Sequence, residues 1–187
     1  IDDQEPPISI LEQVRIGIEK VGELYETGEY FIADLIMSGL IFKQVLKYIE
    51  FPQDNESIFS EIKIIFATVE GDIHDVGKNV TISLFRSRGI DVIALGVDVS
   101  GARIIEEVER TKASILCLSG LITSSYRSMQ KTIELLEDRK LHQKVKVIIG
   151  GNVDEEVKKF TGADYWTPNC SQGLEICEMI ARDIKGA

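Results

Sequence analysis

The sequence is poor in cysteine, histidine and basic residues, and it has no long apolar run. Its three cysteines, Cys117, Cys170 and Cys177, form no C-x-x-C pair and no zinc spacing, so neither a disulfide framework nor a structural metal site is indicated. Nucleic acid and anionic membrane are disfavoured as partners, because the net charge is -10 and no basic stripe offsets it. No apolar run reaches the length of a membrane span, and Ile-Asp-Asp-Gln-Glu-Pro-Pro at the start lacks the basic and apolar regions of a signal peptide. The expectation is an acidic, cytoplasmic protein.

What is present suffices for a core, since 44% of the 187 residues are hydrophobic. Ser9 and Glu12 have capping-box spacing, and Ile10, Val14, Ile18, Val21 and Tyr25 follow at helical intervals. Thr27-Gly28 predicts a turn, and Ile32, Leu35, Ile36, Leu40, Val45 and Tyr48 trace a second stripe that Phe51-Pro52 ends. The domain organisation expected is a helical unit at 1–51, a polar linker at 52–61 and a second domain at 62–187.

From residue 62 short apolar runs alternate with amphipathic stretches. Strands are expected at 62–69, 91–95, 113–118, 145–149 and 164–167, with helices near 77–88, 101–110, 125–138, 152–161 and 172–185. Such alternation predicts right-handed βαβ units and an α/β, flavodoxin-like (Rossmann-like) five-stranded parallel sheet of order 2-1-3-4-5.

Ligands of open α/β sheets bind beyond the carboxyl ends of the strands, and the unusual residues fall there. Strand one runs into Gly71-Asp-Ile-His-Asp-Val-Gly-Lys-Asn79, which places one of only two histidines in a loop. Strand three leads into Ser119-Gly-Leu-Ile-Thr-Ser-Ser125, strand four into Gly150-Gly151-Asn152 and strand five into Pro168 to Gly173. A neutral imidazole at His74 suits a first-row transition metal, and Asp72 can accept the proton of its other ring nitrogen. A polar βα loop with a solvated histidine is the plainer reading. A hydrolase metal site from Asp72, His74 and Asp75 would crowd three ligands into four residues. A phosphoacceptor receiver would want an aspartate after strand three and a lysine after strand five, where Ser119 and Pro168 stand.

The D-x-H-x-x-G pattern of Asp72, His74 and Gly77, with Ser119-Gly-Leu-Ile-Thr123 and Ile149-Gly-Gly151, resembles the cobalamin motifs of methionine synthase and of the corrinoid proteins of methyltransferase systems. The resemblance implies that His74 ligates cobalt in place of the cofactor's own benzimidazole, in a relay running from His74 through Asp72 to Ser125. It also implies that Asp75, Val76, Gly77, Ser119, Leu121, Thr123, Gly150 and Gly151 line the cofactor and the slot for its nucleotide tail. Val21-Gly-Glu-Leu-Tyr-Glu-Thr-Gly-Glu-Tyr-Phe-Ile32 is similar to the cap motif of methyl-transferring members, with Tyr25, Ile32 and Leu35 at cap positions over the upper corrin face. Ala33 replaces a usual Pro, and Asn169-Cys170 replaces an acidic-small pair. Two helices stand where relatives have four, so dimerisation through the helices is one expectation.

The function implied is that of a methyl carrier using cobalamin, as methylcobalamin, cob(I)alamin and cob(II)alamin. Its implied partners are a donor-side methyltransferase, an acceptor-side methyltransferase and a reductive activase. A mutase subunit or a cobalamin sensor would share His74, and the cap motif disfavours both.

Overall fold

The computed structural model describes residues 6–49 and 62–186. Two compact units divide the chain, residues Ile1–Pro52 and Gln53–Ala187. The expected linker at 52–61 lies outside the described residues.

In the first unit α1 (Pro7–Glu26) and α2 (Ile32–Tyr48) pack on each other. The expected capping box does not start α1: Pro6 is the N-cap and Pro7 the first helical residue, so Ser9 lies within the first turn. Proline suits that place because the first-turn amides lack helical partners anyway. The turn at Thr27-Gly28 forms, with Gly28 at φ 79°. Helix α2 is opened by Asp34, whose carboxylate accepts from the Phe31 amide at 2.8 Å. Its expected buried stripe is largely uncovered. Ile32, Ile36, Leu40 and Tyr48 are exposed, whereas Phe42 is fully buried and Leu35 and Val45 are half-buried. One neighbouring helix covers only one side of α2, whose apolar residues occur nearly all round.

The second unit holds a five-stranded parallel sheet of order β2-β1-β3-β4-β5, as expected. The strands are β1 (Lys63–Thr68), β2 (Asp91–Ala94), β3 (Ile115–Gly120), β4 (Lys146–Gly151) and β5 (Tyr165–Thr167). Between them run α3 (Val76–Ser87), α4 (Gly101–Thr111), α5 (Ser125–Asp138) and α6 (Glu155–Thr161), and α7 (Cys170–Gly186) closes the fold. Side chains alternate faces along each strand. Ile65, Ala67, Val69, Leu116, Leu118, Val147 and Ile149 enter one core with α4 and α5 residues such as Ile104, Val108, Met129 and Ile133. The alternate set, Ile64, Phe66, Ile115, Cys117 and Ile148, is buried on the other face, where Phe66 meets Phe85 of α3 edge to face at 5.3 Å. There Cys117 of β3 hydrogen-bonds Cys177 of α7, and burial foremost pushes its thiol well above the ordinary range.

Strands β3 and β4 run two residues beyond the expected ends. Ser119 and Gly120 are in register with Gly150 and Gly151. This extension depends on glycine, because Gly151 has φ 108° and a Cβ there would lie 2.1 Å from the Gly120 carbonyl oxygen. The sequence reading reserved Gly151 for cofactor approach; the structure gives it a backbone role first. Helix α6 starts later than expected, with Asp154 capping it through the Val157 amide at 2.9 Å. Replacing Gly151 by alanine is expected to destabilise the protein by about 3 kcal/mol, from left-handed strain plus the carbonyl clash. Denaturant unfolding of the cofactor-free protein measures this, and an unchanged midpoint contradicts it.

Candidate functional site

At the carboxyl end of the sheet β1 stops at Thr68, and the chain makes a tight turn in which the Asp72 amide donates to the Val69 carbonyl at 3.1 Å. The turn aims Asp72 inward, where it is 1% exposed. Burying a carboxylate is costly unless its lone pairs are engaged, and here two chain segments engage them. Oδ1 accepts from the His74 amide at 3.0 Å and from the His74 ring at Nδ1, 2.7 Å away. Oδ2 accepts from the amides of Leu121 at 2.6 Å and Ile122 at 3.3 Å, which lead into α5. Burial alone would raise the Asp72 carboxyl, but the His74, Leu121 and Ile122 amides and the His74 ring outweigh it and hold the group below the usual carboxylate range.

An ionised carboxylate only accepts, so Nδ1 of His74 carries a proton, and in the neutral ring the lone pair is on Nε2. The His74 side chain is 50% exposed. Its carbonyl accepts from the Thr68 hydroxyl at 3.1 Å, so the loop is pinned from the strand as well. Among the exposed large apolar residues are Ile73, Val97, Leu121 and Ile122, from the loops after β1, β2 and β3. These loops, His74 included, lie at the carboxyl end of the sheet.

Several other expected residues gather here. Asp75 is the N-cap residue of α3, Val76 is its first residue, and Lys78, buried in the first turn, donates to the Gly96 carbonyl. Gly77 follows Val76 in a helical conformation, and a Cβ there would meet nothing within 4 Å. No neighbouring protein atom requires glycine at this place, in contrast to Gly151. Ser119 and Thr123 carry hydroxyls for which no protein partner is found among the described residues. Gly150 is in register with Ser119, and a Cβ on it would touch only Thr167, at 3.6 Å and beyond.

The expected relay is not formed at its far end. Ser125 is buried, but its hydroxyl donates to the Ile122 carbonyl at 2.5 Å and makes no hydrogen bond to Asp72. The reason is local: Oδ2 of Asp72 is taken by two amides, and the Ser125 hydroxyl turns back to the loop before α5. The hydroxyl also fills the space over Gly120, where a Cβ would lie 2.2 Å from it. Tyr25, Ile32 and Leu35 belong to the helical unit, the first two exposed and the last half-buried.

The Leu121 and Ile122 amides escaped sequence reasoning because backbone groups leave no trace in side-chain identity. Hydrolytic metal chemistry is disfavoured, since both oxygens of Asp72 are committed and no cluster of three His, Cys, Asp or Glu suited to a metal ion occurs among the described residues. The second histidine, His142, lies at the opposite end of the sheet, 3.2 Å from Asp164 and 3.4 Å from Glu137. Among the described residues no helix is long and apolar enough to cross a membrane.

At the carboxyl end of a parallel α/β sheet, the structure thus holds a half-exposed histidine by its Nδ1 on a buried carboxylate. The B12 binding domain family matches residues 62–168, and a second family, also described as a B12 binding domain, matches residues 1–50. A corrinoid protein of Desulfitobacterium hafniense is 34% identical, over 88% of this chain and 78% of that protein. Dimethylamine corrinoid protein 3 of Methanosarcina acetivorans is 31% identical over 90% of this chain and 80% of its own length. The crystal structure of the Methanosarcina barkeri monomethylamine corrinoid protein superposes with a TM-score of 0.77 at 25% identity, covering 94% of this chain and 84% of that one. The chain belongs to the B12-binding family, and cobalamin is its cofactor.

The residues present fit that cofactor: a half-exposed imidazole with one nitrogen free, apolar side chains for a flat macrocycle, and a glycine with open space beside it. One consequence concerns the cofactor-free chain. A depressed carboxyl stabilises the fold above its ordinary value of 3.8 and loses that contribution as the pH falls through its folded-state value. At neutral pH Asp72→Ala is expected to lose about 1–3 kcal/mol, because it strands buried amides. The gap from the parent protein should narrow in urea titrations as the pH falls below 3.8, and a gap independent of pH contradicts the assignment.

Proposed function

We propose that the protein is a methyl-carrying corrinoid protein that holds cobalamin with His74 on cobalt in place of the benzimidazole. One observation carries this reading: His74 is locked through Nδ1 onto a buried, fully hydrogen-bonded carboxylate, while its ring stays half-exposed and Nε2 has no protein partner among the described residues.

Bound there, cobalamin supplies a cobalt centre able to accept a methyl group from one substrate and release it to another. Asp72 holds the imidazole in one tautomer and, as an anion on Nδ1–H, raises its donor strength at Nε2. The Leu121 and Ile122 amides keep that anion in place, so the histidine is oriented without help from Ser125. Ile73, Val97, Leu121 and Ile122, exposed in the chain alone, would be covered by bound cobalamin and would then exclude water from it. The Ser119 and Thr123 hydroxyls are placed to satisfy polar groups of the nucleotide tail. Under the same proposal Tyr25, Ile32 and Leu35 of the helical unit would also contribute to cofactor binding.

Two named relatives are dimethylamine and monomethylamine corrinoid proteins, which supports a methylated small molecule as the ultimate donor. The partners proposed are therefore a donor-side methyltransferase, an acceptor-side methyltransferase and a reductive activase.

The ligand assignment is tested by electron paramagnetic resonance of the reconstituted protein in its cobalt(II) form, with histidine labelled at the ring nitrogens. Hyperfine coupling to one imidazole nitrogen is expected and should vanish in His74→Ala; coupling that survives the substitution refutes the ligand.

Gly77 offers a second test, because its two readings diverge. If no ligand approaches it, Gly77→Ala should be silent or stabilise the helix by up to about 1 kcal/mol. The expected result is that modest stabilisation of the cofactor-free chain together with a weaker cobalamin Kd in equilibrium titration. Unchanged affinity would remove Gly77 from the site.

A further inference from the structure

The loop that presents His74 is held from its inner side by Asp72, and its outer side is held by a residue from a different strand connection. Asp98 lies between β2 and α4, and its Oδ1 accepts from the Gly71 amide at 2.8 Å. Its own amide donates to the Asp72 carbonyl at 2.9 Å. These two bonds grip the backbone on either side of the Asp72 α-carbon. Next to them Val69 and Val99 form an isolated parallel bridge, so the two connections run side by side.

The backbone at Asp98 shows that this contact is maintained against a cost. Its φ is 51°, and the only other non-glycine residues at positive φ among the described residues are Lys112 and Lys140. Lys112 is the C-cap of α4 and Lys140 follows the C-cap of α5, where a left-handed residue is the ordinary way to end a helix. Asp98 ends no helix. Left-handed backbone in a non-glycine residue persists where its surroundings over-determine it, and the two hydrogen bonds to residues 71 and 72 do so here.

We infer that Asp98 is a positioning residue for the cobalt ligand: it touches neither cofactor nor His74, and it fixes the residue whose carboxylate aims the imidazole. The inference rests on the reading of His74 as the ligand. Without the Asp98 acceptor the Gly71 peptide is free to rotate, Gly71 itself having φ 83°, and of the two outer bonds only that from the Asp98 amide to the Asp72 carbonyl remains. The inner contacts to Leu121 and Ile122 then carry more of the task of setting the histidine's direction.

The test is a double-mutant cycle on the whole chain, with the dissociation constant for cobalamin read from its visible spectrum. Asp98→Gly removes the acceptor but accepts the left-handed backbone without strain, which separates the hydrogen bond from the conformation. In the His74-containing protein Asp98→Gly is expected to raise the Kd about fivefold, the effect of one hydrogen bond of ordinary net strength. In the His74→Ala background the same substitution should leave the Kd unchanged, because no ligand remains to be aimed. Asp98→Asn, which keeps both an acceptor oxygen and tolerance of left-handed backbone, should restore affinity to within about twofold of the parent.

An equal loss in both backgrounds makes Asp98 a general brace of the fold and overturns the inference. So does an absence of loss in the His74-containing protein, or an Asp98→Asn variant as weak as Asp98→Gly. If His74→Ala itself leaves both the affinity and the imidazole coupling as in the parent, the ligand reading fails first, and this inference falls with it.

Discussion

The Asp72 carboxylate is the contact on which the rest of the site depends. An anion taken out of water must find partners for its lone pairs, and this one finds them in segments 49 and 50 residues away in sequence. It can reach them because β1 and β3 are neighbours with Thr68 in register with Ser119, so the chain leaves both strands at the same level. A slip of one residue between these strands would turn every side chain of β1 to the other face and withdraw the amides from the carboxylate. The fold's hydrophobic register and the direction of one imidazole are thus a single constraint.

The same level of the sheet marks a change in chemistry. On the face covered by α3 and α7, Phe66, Cys117, Ile148 and Tyr165 are in register across four strands. The next registered row on that face is Thr68, Ser119, Gly150 and Thr167. Apolar packing stops at one row, and small or hydroxyl-bearing residues take over at the next. A sheet buried on both faces needs continuous apolar rows for its core, so this break marks where the two-sided core ends, at the edge where open α/β sheets take their ligands.

Much of this was legible in the sequence because the signals were periodic or compositional. The strand order followed from five short apolar runs separated by amphipathic stretches, and the site's location followed from the strand ends. His74 and Asp72 could be paired from spacing alone, since a carboxylate two residues before a histidine in a loop can fold back on it. What failed was of a different kind. Ser125 has the residue type for a relay, but residue type does not reveal that two backbone amides had already taken the Asp72 oxygen. The capping box at Ser9 matched a pattern that Pro6-Pro7 overrode two residues earlier. Asp98 carried no sequence signal at all, because its importance lies in a backbone angle. The apolar stripe of α2 was visible, yet a stripe does not say whether the molecule itself supplies enough surface to cover it.

The crossing of β3 and β4 also limits how this chain can change over evolutionary time. A side chain on Gly151 would run into the carbonyl of Gly120, while one on Gly120 would run into Ser125 and Met129 of α5. Three elements thus meet at a point where no single substitution is neutral, and an alteration at one position becomes tolerable only after another has moved. Sequence drift there has to be concerted, with β3, β4 and α5 changing together or not at all. The loops above it are coupled by another means, hydrogen bonds to the Asp72 and Asp98 carboxylates, so resistance to change there lies in acceptor oxygens and at the junction in space.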